Sequence, residues 1–325
     1  MSVLGIPKSV LRRISVAALL GVGVVAAGTA IAKDRGHKDI VIDDTYVFPE
    51  SMSSLADGTV LIGSAKGIVF RALPGEMRAE PWIKPTPQNG LMSLLGVLAD
   101  EKSGTLWLCT MPNAFSGAPS KVPSALMAFD LKTGKRKAAY PFPPPASVCN
   151  DVTIAKDGTA YTSDTRNGRI FTLAPGAKAL KLFAEDDRLK GIDGIVFSGD
   201  GTLYANNVTQ GTLLRVEIKP DGSAGGITKL KLSRPVKGPD GFRLIKGNRF
   251  LLAEGTGDRL DEVTITGDDA KIKVLKSGLM SPAATTLVGN TAYVAEGKIG
   301  YLVDPKLKGK DPGVFKAYAV PLGDK

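Results

Sequence analysis

The segment Lys237-Gly238-Pro239-Asp240-Gly241-Phe242-Arg243-Leu244-Ile245-Lys246-Gly247-Asn248-Arg249-Phe250-Leu251-Leu252-Ala253-Glu254 constrains the whole chain, because the chain repeats it. An acidic residue and a glycine precede a short apolar run, a Gly-Asn pair follows, and a second apolar run completes the unit. Gly-Asn between two such runs predicts a β-hairpin. The unit recurs over residues 190–197 with its turn at Gly199-Asp200-Gly201, and over residues 147–152 with its turn at Asp157-Gly158. Fainter copies start at Pro49-Glu50-Ser51-Met52, Leu94-Leu95-Gly96-Val97 and Ser281-Pro282-Ala283, with turns at Asp57-Gly58, Ser103-Gly104 and Gly289-Asn290.

With Glu50, Leu95, Asn150, Asp193, Asp240 and Pro282 taken as equivalent, the copies fall 45, 55, 43, 47 and 42 residues apart. That is room for four strands and their turns, the period of propellers and repeat arrays. The third copy offers apolar segments at residues 148–155, 159–163, 168–173 and 179–183, and the fourth at 192–198, 202–206, 212–218 and 226–232. Val, Ile, Leu, Thr and Tyr dominate these segments, and glycine marks their ends, as antiparallel strands require. The expectation is an all-β chain: a six-bladed β-propeller of four-stranded antiparallel blades, one domain over residues 33–325. Either Ile40-Val41-Ile42 or residues 314–320 supplies the strand that closes the ring. The second copy is irregular, because the Pro/Gly/Ser-rich residues 111–124 lengthen one link; a loop of that kind often lines an opening.

Residues 1–32 carry Lys8, Arg12 and Arg13, then an uncharged run rich in Ala, Val and Gly that ends Ala30-Ile31-Ala32. This is the pattern of a cleavable signal peptide, and it implies a periplasmic or secreted chain with no membrane attachment after cleavage. Arg12-Arg13 hints at twin-arginine export without the usual neighbouring residues. Cleavage removes three cations from a formal charge of +10 and leaves +7. The remaining Lys and Arg residues are scattered, with no block of five or six like charges and no aromatic residues interleaved among them, so the charge reads as a solvated surface and not as a nucleic-acid site. Cys109 and Cys149 head for an oxidising compartment, where a disulfide is one outcome and a pair of buried thiols the other.

The residues that carry chemistry start the innermost strands, which converge at one mouth of a propeller's channel. Glu50, Asn150, Asp193 and Asp240 therefore meet there: three carboxylates and an amide oxygen that repel one another unless a cation joins them. The Asp-Gly pairs are not needed as turns, since each copy has its own turn downstream. Hard oxygen donors with no imidazole suit Ca²⁺ first, then Mg²⁺ or Mn²⁺, and not Zn²⁺. The single histidine, His37, follows the predicted cleavage site, so no Ser-His-Asp arrangement is available within the propeller. No Gly-x-Ser-x-Gly elbow and no phosphate-binding Gly-Lys-Ser/Thr loop occurs.

At these residues the chain resembles the SMP-30/gluconolactonase (regucalcin-like) propellers. Phe48-Pro49-Glu50 is similar to the family's metal-binding glutamate motif. Pro239-Asp240-Gly241 is similar to the motif whose aspartate is both ligand and general base, and Asn150-Asp151 to the one that brings an amide near the metal. The resemblance implies a small-molecule lactone or ester as partner, Glu50, Asp193 and Asp240 as metal ligands, Asn150 on metal or substrate, and Asp240 as base. Two positions depart from the family: Asp193-Gly194 stands where Asn-Gly is usual, and Val148 where sugar lactonases often carry arginine, which argues against an aldonolactone substrate. The expected function is an exported, monomeric, metal-dependent hydrolase of lactones or related esters. The alternative is a non-catalytic ligand- or partner-binding propeller with a structural Ca²⁺ in its channel, since fold alone does not choose. A metal-free propeller of the strictosidine synthase type is a third reading, disfavoured by the oxygen cluster.

Overall fold

A computed structural model of the chain describes residues 38–42, 44–112, 114–115 and 120–323. The predicted leader, residues 1–32, and His37 lie outside the described residues.

The first strand, β1 (Ile40–Ile42), belongs with the end of the chain. After it come β2 (Pro49–Ser54), β3 (Val60–Ser64), β4 (Val69–Ala72) and β5 (Arg78–Ile83), an antiparallel meander. Three further sheets repeat this plan. They are β6 (Ser93–Asp100), β7 (Thr105–Met111), β8 (Ala125–Asp130) and β9 (Arg136–Pro141); β10 (Cys149–Ile154), β11 (Ala160–Asp164), β12 (Arg169–Leu173) and β13 (Lys181–Glu185); and β14 (Ile192–Phe197), β15 (Leu203–Asn207), β16 (Thr212–Ile218) and β17 (Ala224–Lys229). The short β18 (Lys231–Leu232) leaves this last sheet and lies parallel to the outer strand of the next. That next sheet holds β19 (Pro239–Lys246), β20 (Arg249–Glu254), β21 (Arg259–Thr266) and β22 (Asp269–Ser277).

The chain ends in β23 (Pro282–Val288), β24 (Thr291–Glu296) and β25 (Lys316–Pro321). β25 pairs with β24 on one edge and with β1 on the other, so the first strand of the chain completes the last sheet. Both segments considered at the sequence level as ring closers are therefore used, side by side. β1 also runs parallel to β5, which joins the first and last sheets. Among the described residues, helix is confined to the turns Asp187–Leu189 and Gly300–Val303.

The first strands pack side by side in cyclic order, β2 on β6, β6 on β10, β10 on β14, β14 on β19, β19 on β23, and β23 back on β2. Each junction between successive sheets has its own apolar cluster, such as Tyr204, Phe242, Phe250 and Val263 between the sheets of β14 and β19. The second strands are covered on both faces, which is why β3, β11, β15 and β24 are buried end to end and do not alternate. The outer strands β9 and β13 are largely exposed. At the Asp-Gly hairpin turns Gly58, Gly158 and Gly201 hold φ of 95°, 89° and 95°, the left-handed region that side chains avoid.

Candidate functional site

Every first strand is interrupted near its start. The ladder skips between Pro49 and Ser51, Leu94 and Val97, Cys149 and Val152, Ile192 and Ile195, Pro239 and Phe242, and Pro282 and Ala284. A β-bulge frees a residue from the ladder and re-aims its side chain. The residues freed first are Glu50, Leu95, Asn150, Asp193, Asp240 and Ala283. Sequence spacing had aligned Pro282 with this set, but Pro282 pairs with Glu296 in the ladder and Ala283 takes the bulge. The oxygen donors thus come from β2, β10, β14 and β19, and β6 and β23 present apolar residues at the equivalent position.

Three of the bulges carry glycine second, and close approach between sheets explains it. A Cβ on Gly96 would lie 2.4 Å from the Asn150 carbonyl oxygen, one on Gly194 2.8 Å from that of Asp240, and one on Gly241 2.6 Å from that of Ala283. The Asp-Gly pairs are therefore an acid followed by the only residue that lets the next strand in.

Side chains of the second strands lock these bulges. Ser163 Oγ accepts from Asp151 N and donates to the Asp193 carbonyl, bridging two sheets at 3.0 and 2.8 Å. Asn206 does the same one sheet on, accepting from Gly194 N at 2.9 Å and donating to the Asp240 carbonyl. At the matching place in the sheet before, Cys109 is joined to Cys149 by a disulfide, with Cα atoms 5.2 Å apart. A residue at or next to the end of the second strand then holds the segment entering the bulge. Thr110, Asp164, Glu254 and Glu296 accept from the backbone N–H of Met92, Val148, Lys237 and Met280, and Ser64 and Asn207 donate to the carbonyls of Val47 and Lys190. Sequence reading passed over these polar strand ends, although aligning the repeats on their second strands would have exposed them.

Glu50, Asn150, Asp193 and Asp240 are brought together. Asn150 Nδ2 donates to Asp193 Oδ2 at 2.9 Å and to Thr165 Oγ1 at 3.0 Å. With both hydrogens committed, Asn150 has only its carbonyl oxygen left to offer. Burial, reinforced by the Asp193 charge, pushes Glu50 well above the usual carboxylate range. Burial does the same to Asp240, with Asp193 and then Glu50 adding to it. Asp193 is pushed up to about 7, mainly by burial and the charge of Asp151, against the hydrogen bonds from Asn150 and Asp240 and the charge of Arg243. Asp193 and Asp240 lie close enough that Asp193 raises Asp240, so the two acids are coupled.

Beneath this cluster lies a pair that sequence reading did not single out. Arg243 Nη1 and Nη2 reach Asp151 Oδ2 and Oδ1 at 2.6 and 2.9 Å, a two-pronged ion pair across the ring from β19 to β10. The same guanidinium bonds Ser51 Oγ at 3.0 Å, and Asp151 Oδ2 also accepts from Ile195 N at 3.2 Å. On the side away from the acids, Arg243 helps line a cavity of about 830 Å³ walled by Leu98, Val152, Ile154, Ile195 and Leu287.

Among the described residues, no three His, Cys, Asp or Glu side chains are set as a ready-made metal cage. The donor types nevertheless suit a hard divalent cation, because carboxylate and amide oxygens that repel one another are what such an ion joins. Cys149, tied in the disulfide, is not part of the set.

No family model matches the chain, and no curated protein matches it either. Solved structures do. A candidate gluconolactonase superposes with a TM-score of 0.62 at 17% identity, over 89% of this chain and 95% of that one. Virginiamycin B lyase from Staphylococcus aureus, in its inactive H270A form with quinupristin, gives 0.57 at 16% identity over 84% and 80%. The PQQ-bound aldose sugar dehydrogenase of Streptomyces coelicolor gives 0.57 at 13% over 87% and 99%. At such identities the likeness is one of fold, and it places the chain among the propellers.

Proposed function

We propose that this chain is an exported six-bladed propeller that hydrolyses lactones or related esters with the help of a divalent cation, Ca²⁺ by preference. The observation that carries the reading is the meeting of Glu50, Asn150, Asp193 and Asp240, one from each of four strands, each freed from its ladder by a bulge. Carboxylates forced together in this way are costly unless something positive offsets them. Glu50, Asp193 and Asp240 would hold the ion, and Asn150 would add its carbonyl oxygen or face the substrate. When bound, a divalent cation polarises the substrate carbonyl and draws the charge that develops on its oxygen.

Asp240 is the base. In the bare cluster burial and its acidic neighbours push it well above the usual carboxylate range, and positive charge that offsets Asp193 and Glu50 brings it back toward the form that accepts a proton. It then takes a proton from the attacking water as the new C–O bond forms and passes it to the departing oxygen as the ester C–O bond breaks, leaving an alcohol and an acid. Val148, two residues before Asn150, supplies no cation for a sugar hydroxyl or carboxylate, which fits a substrate less polar than an aldonolactone.

A panel of lactones and esters, assayed after chelation and after Ca²⁺ is restored, tests the reading on the native chain and on Asp240→Ala. The expected result is turnover that needs the ion and is lost in the variant. Ion binding without turnover on any substrate would make the chain a ligand-binding propeller with a structural ion.

A further inference from the structure

The four strands that carry Glu50, Asn150, Asp193 and Asp240 are tied together by one ion pair. Arg243 stands on β19, three residues after Asp240, and Asp151 on β10 directly after Asn150. The guanidinium reaches β2 at Ser51, the residue after Glu50, and the Asp151 carboxylate reaches β14 at Ile195 N, two residues after Asp193. Each contact therefore lies within three residues of a candidate site residue. Arg243 has five N–H donors. Its Nε bonds the Met52 carbonyl at 3.4 Å, its Nη1 bonds Asp151 and the Phe242 carbonyl, and its Nη2 bonds Asp151 and Ser51. None is left over for a substrate. A side chain so fully committed does not bind ligand; it fixes the distances between strands.

We infer that Arg243 and Asp151 are a positioning pair that sets the spacing of Glu50, Asn150, Asp193 and Asp240, and that the pair forms the floor dividing this site from the cavity on the far side of the ring. The inference rests on the site reading given above and deepens it. The bulges free the donor residues from their ladders, so a ladder alone does not fix where their side chains stand relative to one another. A two-pronged arginine–carboxylate pair supplies direction as well as attraction, which a lysine in the same place does not.

The alternative role for Arg243 is simply to offset the acids' charge, and the two roles differ in sign. Arg243→Met leaves Asp151 unpaired and makes the cluster more negative, so a purely electrostatic Arg243 predicts Ca²⁺ binding that is tighter than native. A positioning Arg243 predicts weaker binding in spite of the added negative charge. Calorimetric titration of Ca²⁺ into the native chain, Arg243→Met and Arg243→Lys is the test, with amide hydrogen exchange run on the same samples. The expected result is a loss of about tenfold or more in Ca²⁺ affinity in both variants. Exchange should also speed up at the starts of β2, β10, β14 and β19 and stay unchanged in the outer strands β13 and β22. Binding by Arg243→Met that matches or exceeds native, or exchange that is unaltered at those four strand starts, overturns the inference. If Arg243→Met fails to fold, Asp151→Asn keeps the shape and must show the same exchange pattern. If the native chain binds no Ca²⁺ at all, the cation reading falls, and the positioning pair is then judged on hydrogen exchange alone.

Discussion

Asp193 and Asp240 each shift the other's carboxyl group, although they sit in the bulges of first strands from different sheets. Two acids so coupled titrate as a pair. Burial and the Asp151 charge hold Asp193 at about 7, so near pH 6 the proton is still in place.

A cation entering this site must displace that proton. Calcium binding near pH 6 should therefore release at least one proton per ion, with affinity rising as the pH climbs toward neutrality. Titrations in buffers of different ionisation enthalpy measure the release. Equal heats in all buffers would show that the site holds no proton for the ion to displace.

Gly194 and Gly241 answer to the next sheet, so added side chains should be felt at once. Gly194→Ala or Gly241→Ala should destabilise the chain by about 1–3 kcal/mol, the usual cost of overfilling a packed site. The exposed Gly226, where an added Cβ meets nothing closer than 3.5 Å, is the control position. Urea midpoints that shift equally for Gly194→Ala and Gly226→Ala would remove the close-approach explanation.

Much of this was legible in the chain itself. The repeat beginning at Lys237 located the strands, and residues 160–164 and 203–207 became β11 and β15 within a residue of their expected bounds. Equivalence of Glu50, Asn150, Asp193 and Asp240 followed from the same spacing. Three things escaped it. A bulge adds a residue without changing the apolar pattern, so Pro282 was chosen where Ala283 stands. The link between Arg243 and Asp151 joins residues far apart in the chain and obeys no period. The closing of the ring by β1 beside β25 depends on which edges remain unpaired once every sheet has formed.

A second buried acid pair lies behind the site, on the sheet of β19. Burial, then the neighbouring Glu254 carboxylate, push Asp261 up to about 8 in spite of Arg234, which pairs with both acids, and both acidic side chains are fully buried. An unfolded aspartate titrates near 4. Between those values the folded chain holds a proton that the unfolded chain has lost, so stability should fall as the pH rises from about 4 to 8. Asp261→Asn carries the polar hydrogen permanently and should flatten that part of the profile in thermal melts. A variant whose melting profile keeps the native slope would place the pH dependence elsewhere.

The disulfide between Cys109 and Cys149 closes a sequence separation of 40 residues and joins two neighbouring sheets. Replacing both cysteines with serine should cost about 2–4 kcal/mol, read from urea unfolding. Reductant should lower the native chain's midpoint and leave that of the double variant alone. A native midpoint unmoved by reductant would mean that the bond contributes nothing to stability.

All of the chemistry proposed here depends on oxygen donors from β2, β10, β14 and β19 closing on one divalent ion. Calorimetric titration of Ca²⁺ into the chelator-treated chain at pH 8, alongside Asp193→Asn and Asp240→Asn, measures this most directly. The account predicts one ion per native chain and at least about a tenfold loss of affinity in each variant. Native protein that takes up no ion, or variants that bind as tightly as native, would contradict it.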